Sequence, residues 1–550
     1  MKSTLIAAGI CFTLAMPGAF AQSANVPKPV AKSLSKVKPD DIKAHIAYLA
    51  DDKLLGRKPG TPGYQMAVDY VTDQFKKMNV APAGENNSYL QTVRIRTATP
   101  NPDATLKLQA NEGAAEALKD GVEFSVYPNP AKPEVNLEEA PLVFAGYGIS
   151  APDMNYDDYA NIDAKGKVVV IMRGTPEGFP STVSSYSMDM QTILNTAAAH
   201  GAVGVLVGST NPKGGVPNFS RGVSSVIGAD GKVAASRSYH DDIKLLGMLH
   251  HDTFQKLLSS AGLEVAQAAA SIKSGKTTSA ALPFSIRGSY GSSYNDIESY
   301  NVVGKIEGSD PKLKNEYVVH SAHLDHVGIG RPIDGDSIYN GAHDNASGVA
   351  SLLEIANVYS RLKNKPKRSV LIVMVTAEEM GLLGSAYFAK YPTVPSSQIV
   401  ADINTDMPTL IAPLLAVVPL GAAHSSLEDE VKQASNYLGL DVEQDPEPEQ
   451  NRFVRSDQYS FVTQGVPALH IKYGNKTADG KNNLDETVKV WREKYYHKPQ
   501  DGLEGGVFDF DAAKKYAQLN FLIGYLVAQD ADRPTWKEGD FFGSRFGNLQ

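Results

Sequence analysis

Apolar and polar residues alternate along the chain in two rhythms, and each rhythm predicts one type of secondary structure. Near the start, Ile42, Ile46 and Leu49 recur at helical spacing, which predicts an amphipathic helix from Asp40. A second helix is predicted over 64–78 by the same criterion. The folded part of the chain is therefore expected to begin with two helices.

From Tyr300 onward, short apolar runs and helical patterns follow one another in strict order. Strands are predicted over 301–306, 317–320, 369–376, 399–404, 414–418 and 466–471, and helices over 349–362, 382–391 and 509–529. Such alternation implies a mostly parallel mixed sheet with helices on both faces. The predicted fold class is therefore α/β, and functional residues are expected at the carboxyl ends of the strands.

The stretch 131–282 differs in texture, because it is rich in glycine, serine and other small residues. Its apolar runs predict strands over 141–149, 167–172 and 202–208. A helix is predicted at about 188–200. We therefore predict a small α/β domain at 131–282, inserted into a discontinuous main domain of 39–130 and 283–550.

Composition is that of an ordinary globular protein, with 550 residues, 21% charged and 42% hydrophobic. This length allows two or three domains. The net charge of −8 gives no reason to expect a nucleic-acid partner. The single cysteine, Cys11, lies in the N-terminal segment. A metal in the mature chain would therefore be held by histidines and carboxylates.

The N-terminal residues predict a secretory signal peptide over 1–21. Lys2 supplies the positive charge, Leu5 to Met16 form a short apolar stretch, and Ala19-Phe20-Ala21 is a small-x-small cleavage site. A membrane anchor is the alternative, but about 20 apolar residues are needed to span a bilayer. We expect an exported protein, periplasmic or extracellular, with no membrane anchor in the mature chain. A loose leader or linker is predicted over 22–38.

The strongest chemical signal is the pair Glu378-Glu379, directly after the apolar run 369–376. Two adjacent carboxylates at the end of a buried strand are costly unless something positive meets them. A pair of metal ions would meet them. One glutamate could then bind metal while its neighbour carries a proton.

Four further residues suit a metal site, and two of them, His323 and Asp406, directly follow predicted strands. Asp344 stands in a glycine-flanked turn, where a carboxylate can bridge two cations. His497 comes last along the chain. A ligating histidine usually gives its other ring nitrogen to a carboxylate, and Asp325 could accept it from His323. Structural roles are predicted for three other histidines, His320, His326 and His470.

These residues lie in motifs that resemble a known family, the exported zinc aminopeptidases that include bacterial leucyl aminopeptidase and are related to glutamate carboxypeptidase. The motifs are His-Leu-Asp-His-Val-Gly (323–328), Gly-Ala-His-Asp-Asn-Ala-Ser-Gly (341–348), Ala-Glu-Glu-Met-Gly-Leu-Leu-Gly-Ser (377–385), Asn-Thr-Asp-Met (404–407), Arg-Ser-Asp-Gln-Tyr-Ser-Phe (455–461) and Tyr-His-Lys-Pro (496–499). The resemblance covers about 285–530 and extends to 55–63. It implies a zinc exopeptidase-like fold. The inserted stretch resembles a protease-associated domain.

The resemblance implies two zinc ions per chain, both bridged by Asp344. His323 and Asp406 would complete the shell of one ion. Glu379 and His497 would complete the shell of the other.

Catalytic roles are implied in the same way. Glu378 would be the general base for a hydroxide held by both zinc ions, and Asp325 would orient His323. Tyr496 would help to bind the developing oxyanion. The peptide bond between Asp344 and Asn345 is expected to be cis. The implied activity is removal of N-terminal residues from peptide substrates with a free N-terminus.

Other functions remain open at this level. A glutaminyl cyclase or a carboxypeptidase would share the fold, and a metal-free binding module would share it without catalysis. Serine hydrolase chemistry is disfavoured, because no Gly-x-Ser-x-Gly follows a predicted strand. His343 and Gln458 depart from the pattern of the family and leave the substrate preference open.

Overall fold

The computed structural model describes residues 26–102, 104–408 and 410–549. The predicted signal peptide, residues 1–21, lies outside these ranges, so export stays a prediction. Within the described ranges, no helix combines the length and the apolar character needed to cross a bilayer.

Four parallel strands form the middle of the main sheet, and their order across it is Ser369–Val375, Tyr317–His323, Ile399–Asn404 and Ala468–Tyr473. Antiparallel neighbours flank this group on both sides. On one side lie Ser279–Ile306 and then Leu90–Pro100; on the other side lies Ala416–Leu420. The predicted α/β class, with a mixed and centrally parallel sheet, is confirmed.

Helices cover both faces of this sheet. Along Ser369–Val375, Val370, Ile372 and Met374 join one apolar cluster, whereas Leu371, Val373 and Val375 join another. Neighbouring residues of a strand point to opposite faces, so this central strand is apolar throughout because both of its faces are buried. The helices of the main domain are Lys28–Leu34, Pro39–Leu49, Pro62–Lys77, Ser347–Arg361, Leu383–Lys390, Leu427–Leu438, Gln458–Val462, Leu484–Tyr495, Phe510–Gln529 and Phe541–Phe546.

A second sheet has its own apolar core. Its parallel strands are Glu134–Ala145, Val168–Met172, Gly204–Gly208 and Leu245–Leu249. Its helices are Ser181–Met188, Met190–Ala199, His251–Ser259 and Val265–Lys273. The strand Ser279–Ile306 begins in this sheet and ends in the main sheet.

The second core also draws on residues before the predicted start of the inserted domain at 131. Thr105–Ala110 pairs with Ser279–Ile306, and Phe124–Val126 pairs with Leu245–Leu249. Leu106 and Phe124 are buried in this core. The domain boundaries and the protease-associated character of the insert stay predictions.

The described part of the predicted leader is folded, in contrast to the expectation from sequence. Lys28–Leu34 is a helix, and Val30, Leu34 and Val37 are buried in the main core. Gln518 also donates a side-chain hydrogen bond to the Leu34 carbonyl at 3.0 Å. These three apolar residues recur every three to four positions, and that short stripe is hidden among lysines and prolines.

Candidate metal centre

The candidate residues meet at the carboxyl edge of the parallel strands. His323 is the last residue of Tyr317–His323, Asp406 follows the strand that ends at Asn404 by two residues, and the Glu378-Glu379 pair follows Val375. Parallel strands bring their carboxyl ends to one edge of a sheet, so residues that are distant in the chain converge there.

One cluster joins His323, Asp344 and Asp406. The Nε2 atom of His323 lies 3.3 Å from Oδ1 of Asp344 and 3.4 Å from Oδ1 of Asp406. All three side chains are buried, and their donor atoms are close enough together to hold one metal ion.

A second cluster uses the other oxygen of Asp344. The Nε2 atom of His497 lies 3.1 Å from Oδ2 of Asp344 and 3.3 Å from Oε2 of Glu379. The side chain of His497 is 38% exposed, so this cluster faces solvent while the first does not. The two oxygens of Asp344 therefore face two different imidazoles.

His326 also contacts the second cluster, which its predicted structural role did not anticipate. Its Nδ1 lies 2.8 Å from Oε1 of Glu379, and His326, Asp344 and Glu379 form another group of donors that could hold a metal. Its place in His-Leu-Asp-His, three residues after His323, was the available signal.

The backbone around Asp344 is fixed by its neighbour Asn345. The peptide bond between them is cis, which confirms the expectation from sequence. The Asn345 side chain donates to the Thr405 carbonyl at 3.0 Å and accepts the N–H groups of Gly348 at 2.9 Å and Met407 at 3.1 Å. A side chain at Gly348 would meet Asn345 Oδ1 at 2.1 Å, so only glycine fits there. These bonds tie the Asp344 turn to the loop that carries Asp406.

Asp501 is a site residue that the sequence did not reveal. Its buried carboxylate accepts the N–H groups of His343 at 3.0 Å and Asp344 at 3.1 Å. The Nδ1 atom of His343 lies 3.1 Å from the same carboxylate, and the His343 ring stacks on Phe508. His343 thus packs against Asp501 and supports the turn of Asp344. The only local signal was an aspartate four residues after His497.

Asp325 acts through different atoms from those expected. Its carboxylate accepts the backbone N–H groups of Glu378 at 3.1 Å and Glu379 at 3.3 Å. The Nδ1 atom of His323 is 3.2 Å from the backbone oxygen of Asp325, but 3.9 Å from its carboxylate. The carbonyl of Asp325 therefore orients His323, and its carboxylate orients the glutamate pair.

Arg57 lies fully buried behind the site. Its guanidinium donates to the carbonyls of Leu49 and Asn340, each at 2.6 Å, and to those of Leu324 and Gly341, each at 3.0 Å. Burial lowers the pKa of Arg57 to about 10, although nearby carboxylates favour its charged form. This side chain joins the loops on both sides of the metal-candidate residues.

The electrostatics of the clusters indicate an excess of negative charge. Burial disfavours protonation of His323 and His497, yet the neighbouring acids raise the pKa of His323 well above its ordinary value and that of His497 to about 10. Burial raises the pKa of Glu378 well above the usual glutamate range. The histidines thus hold protons where divalent cations would compete, while, despite burial, hydrogen bonds from these histidines lower the pKa values of Asp344, Asp406 and Glu379. This donor set fits a metal such as zinc.

Tyr496 lies beside the second cluster. Its ring stacks on the ring of His497 with centroids 3.9 Å apart, and the guanidinium of Arg492 lies 3.9 Å from the centroid of Tyr496. Ser456 and Lys472 support the first cluster instead. Ser456 donates to Asp406 Oδ2 at 2.6 Å, and Lys472 donates to the Asp406 carbonyl at 2.9 Å.

Comparison with known proteins shows which family this part of the chain is similar to. Residues 301–521 match Peptidase family M28, and this range contains every candidate residue from His323 to His497. The part of the chain that carries the candidate metal centre is therefore similar to Peptidase family M28.

Individual curated proteins are similar to parts of this chain at moderate identity. The chain is 29% identical over 208 residues to leupeptin-inactivating enzyme 1 of Streptomyces exfoliatus, which covers 37% of this chain and 43% of that protein. It is 26% identical over 363 residues to an aminopeptidase of Pseudomonas aeruginosa strain UCBPP-PA14, which covers 64% of this chain and 53% of that protein. The chain thus spans about half the length of these curated relatives. Among solved structures it is similar to an aminopeptidase from Aneurinibacillus sp. strain AM-1, at 19% identity and a TM-score of 0.47, over 90% of this chain and 95% of that one.

Proposed function

We propose that the chain is a zinc-dependent aminopeptidase that holds two zinc ions. The observation that supports this most is the placement of Asp344, whose two carboxylate oxygens face His323 and His497 separately. A bridging carboxylate between two histidine–carboxylate pairs is the arrangement that a two-metal site needs. The proposed ligands are Asp344 for both ions, His323 and Asp406 for one, and Glu379 and His497 for the other.

When bound, the two zinc ions would activate a water molecule and polarise the scissile carbonyl. Glu378 would take a proton from the attacking water and return it to the leaving amine. Its raised pKa supports this role, because it makes the carboxylate a stronger proton acceptor than an ordinary glutamate. The carboxylate of Asp325 holds the backbone of Glu378 in place.

Tyr496 would donate a hydrogen bond to the developing oxyanion. Its support is positional, since its ring is stacked on His497. The free α-amine of the substrate would be held by carboxylates of the site. That recognition would restrict cleavage to the amino end, in keeping with the aminopeptidase names of relatives.

The test is a panel of aminoacyl-anilides and their N-acetylated forms, assayed with the purified protein before and after chelation and after zinc is added back. The proposal predicts hydrolysis of free-amine substrates that disappears with chelator, returns with zinc and falls strongly on acetylation. Equal rates on acetylated substrates would contradict aminopeptidase action. Cyclisation of glutaminyl peptides or release of C-terminal residues would indicate the alternative activities, and a protein that takes up no zinc would indicate a binding module.

A further inference from the structure

A small cavity adjoins the candidate metal centre. His343 and Met407 form part of its wall, and each is the direct chain neighbour of a proposed ligand, Asp344 or Asp406. Its volume is about 30 Å³. One water molecule needs about 10–15 Å³ by this kind of measure, so the cavity has room for about two oxygen-sized groups.

Three cationic side chains line this cavity, and two of them form no ion pair with a carboxylate in the part of the chain that the structure describes. Arg452 forms ion pairs with Asp445 and with Glu447. Lys472 donates to the backbone carbonyl of Asp406 at 2.9 Å, and its side chain is in no ion pair with a described carboxylate. Arg492 likewise forms no ion pair with any carboxylate in the described ranges, and it rests on the ring of Tyr496.

One of these cations, Arg452, also has a hydrogen-bond donor that is not used. The Nε atom of Arg452 is buried and has no hydrogen-bond partner among the described residues. The rest of the wall is largely apolar, with Ile411, Val488 and Trp491 among its residues. Charges in such water-poor surroundings interact more strongly than they do in bulk solvent. The cavity therefore offers cations and a free N–H donor, which match the two oxygens of a carboxylate.

We propose that this cavity binds a carboxylate of the substrate residue next to the scissile bond, and that Arg492 recognises it. The inference rests on the proposed aminopeptidase function and narrows its substrates to peptides that carry an acidic group there. That carboxylate has two possible sources. One is the side chain of an N-terminal glutamate or aspartate, and the other is the C-terminus of a dipeptide.

The first measurement compares kcat/KM for two matched pairs of substrates. Glutamyl- and glutaminyl-anilide test the side chain, and Ala-Ala and Ala-Ala-amide test the C-terminus. A charge-assisted hydrogen bond corresponds to about a 10–100-fold preference, so the wild type is expected to favour the carboxylate by at least tenfold in one pair. A preference below about threefold in both pairs would overturn the inference, whatever any variant shows.

The variants test whether Arg492 carries the preference. Arg492→Gln is expected to reduce it to below about threefold, and Arg492→Lys is expected to restore part of it. Lys489→Gln is the matched control, because Lys489 is exposed on the same helix and does not line the cavity. If Arg492→Gln keeps the preference for the carboxylate substrate, the proposed role of Arg492 is contradicted. Thermal unfolding of each variant shows whether it is folded.

A binding measurement separates this inference from the proposed function. Calorimetric titration of zinc-loaded protein with glutamate and with glutamine needs no turnover. If no anilide is cleaved but glutamate binds at least tenfold more tightly than glutamine, and Arg492→Gln abolishes the difference, the cavity is supported and the aminopeptidase function fails. If apolar anilides are cleaved without any carboxylate preference and glutamate binds no better than glutamine, the function stands and the cavity proposal fails.

Discussion

Asp501 accepts the backbone N–H of Asp344 at 3.1 Å, so a residue 157 positions further along the chain fixes the backbone of the proposed bridging ligand. The carboxylate of Asp501 is buried and also accepts the N–H of His343. It touches none of the proposed metals' ligand atoms. Its role is to set the direction in which the Asp344 side chain points.

Asp501→Leu should therefore weaken zinc binding without removing a ligand. We expect about a 10–100-fold loss of zinc affinity, the usual cost of removing a group that orients a ligand. Competition with a fluorescent chelator measures this loss. Asp511→Asn, at an exposed position of the helix Phe510–Gln529, is the control and should bind zinc like the wild type. An unchanged zinc affinity in Asp501→Leu would show that the Asp344 turn keeps its conformation without the Asp501 carboxylate.

Glu378→Gln should separate catalysis from metal binding. We expect the zinc content to stay at the wild-type level while kcat falls by about 10²–10⁴, because general-base assistance is lost. Glu379→Gln is the matched variant and should lose zinc, since Glu379 is the proposed ligand. Metal analysis and kinetics on the same preparations check both. Loss of zinc from Glu378→Gln with retention in Glu379→Gln would reverse the two assignments.

The hydrogen bonds of Arg57 to the loops around the site can be tested by substitution. Arg57→Met removes the donor from the backbone carbonyls of Leu49, Leu324 and Asn340, whereas the Gly341 carbonyl keeps the N–H of Ala346. Groups of this kind are costly when buried and unpaired, so we expect the free energy of unfolding to fall by about 3–5 kcal/mol. Denaturant unfolding of the metal-free protein measures it.

The control for that experiment is Arg94→Met, because Arg94 is exposed on a strand of the same main sheet. A surface substitution of this kind should change the free energy of unfolding by less than about 0.5 kcal/mol. Similar values for Arg57→Met and Arg94→Met would contradict the bracing role of Arg57.

The stability of the metal-free protein should depend on pH through His497. Burial opposes its charge, but hydrogen bonds to Asp344 and Glu379 raise its pKa to about 10. A raised pKa in the folded state stabilises the fold fully below the unfolded value near 6.5, and this stabilisation is lost as pH rises through about 10. The difference in unfolding free energy between wild type and His497→Gln, both without zinc, should therefore shrink from pH 7 to pH 10. A difference that is constant or grows over that range would contradict the assigned pairing.

Much of the site was predictable, because each proposed ligand lies near a strand or turn that the local sequence predicts. The apolar runs before Glu378 and before His323 predict strands of a sheet. In a parallel sheet, the carboxyl ends of such strands lie at the same edge. Asp501 and Arg57 carry no such mark. Asp501 acts on the backbone of Asp344, 157 positions away, and three of the carbonyls that Arg57 binds lie 267 or more positions away. The early start of the second core at Ala104 escaped for a similar reason, since it depends on pairing with the distant strand Ser279–Ile306.

The central claim is that three acids and two histidines hold two zinc ions around Asp344. Anomalous diffraction at the zinc absorption edge, from crystals of the purified protein, tests it most directly. The account predicts two peaks about 3.5–4 Å apart, one beside His323 and Asp406 and one beside Glu379 and His497, with Asp344 between them. A single peak, or zinc bound away from Asp344, would contradict it.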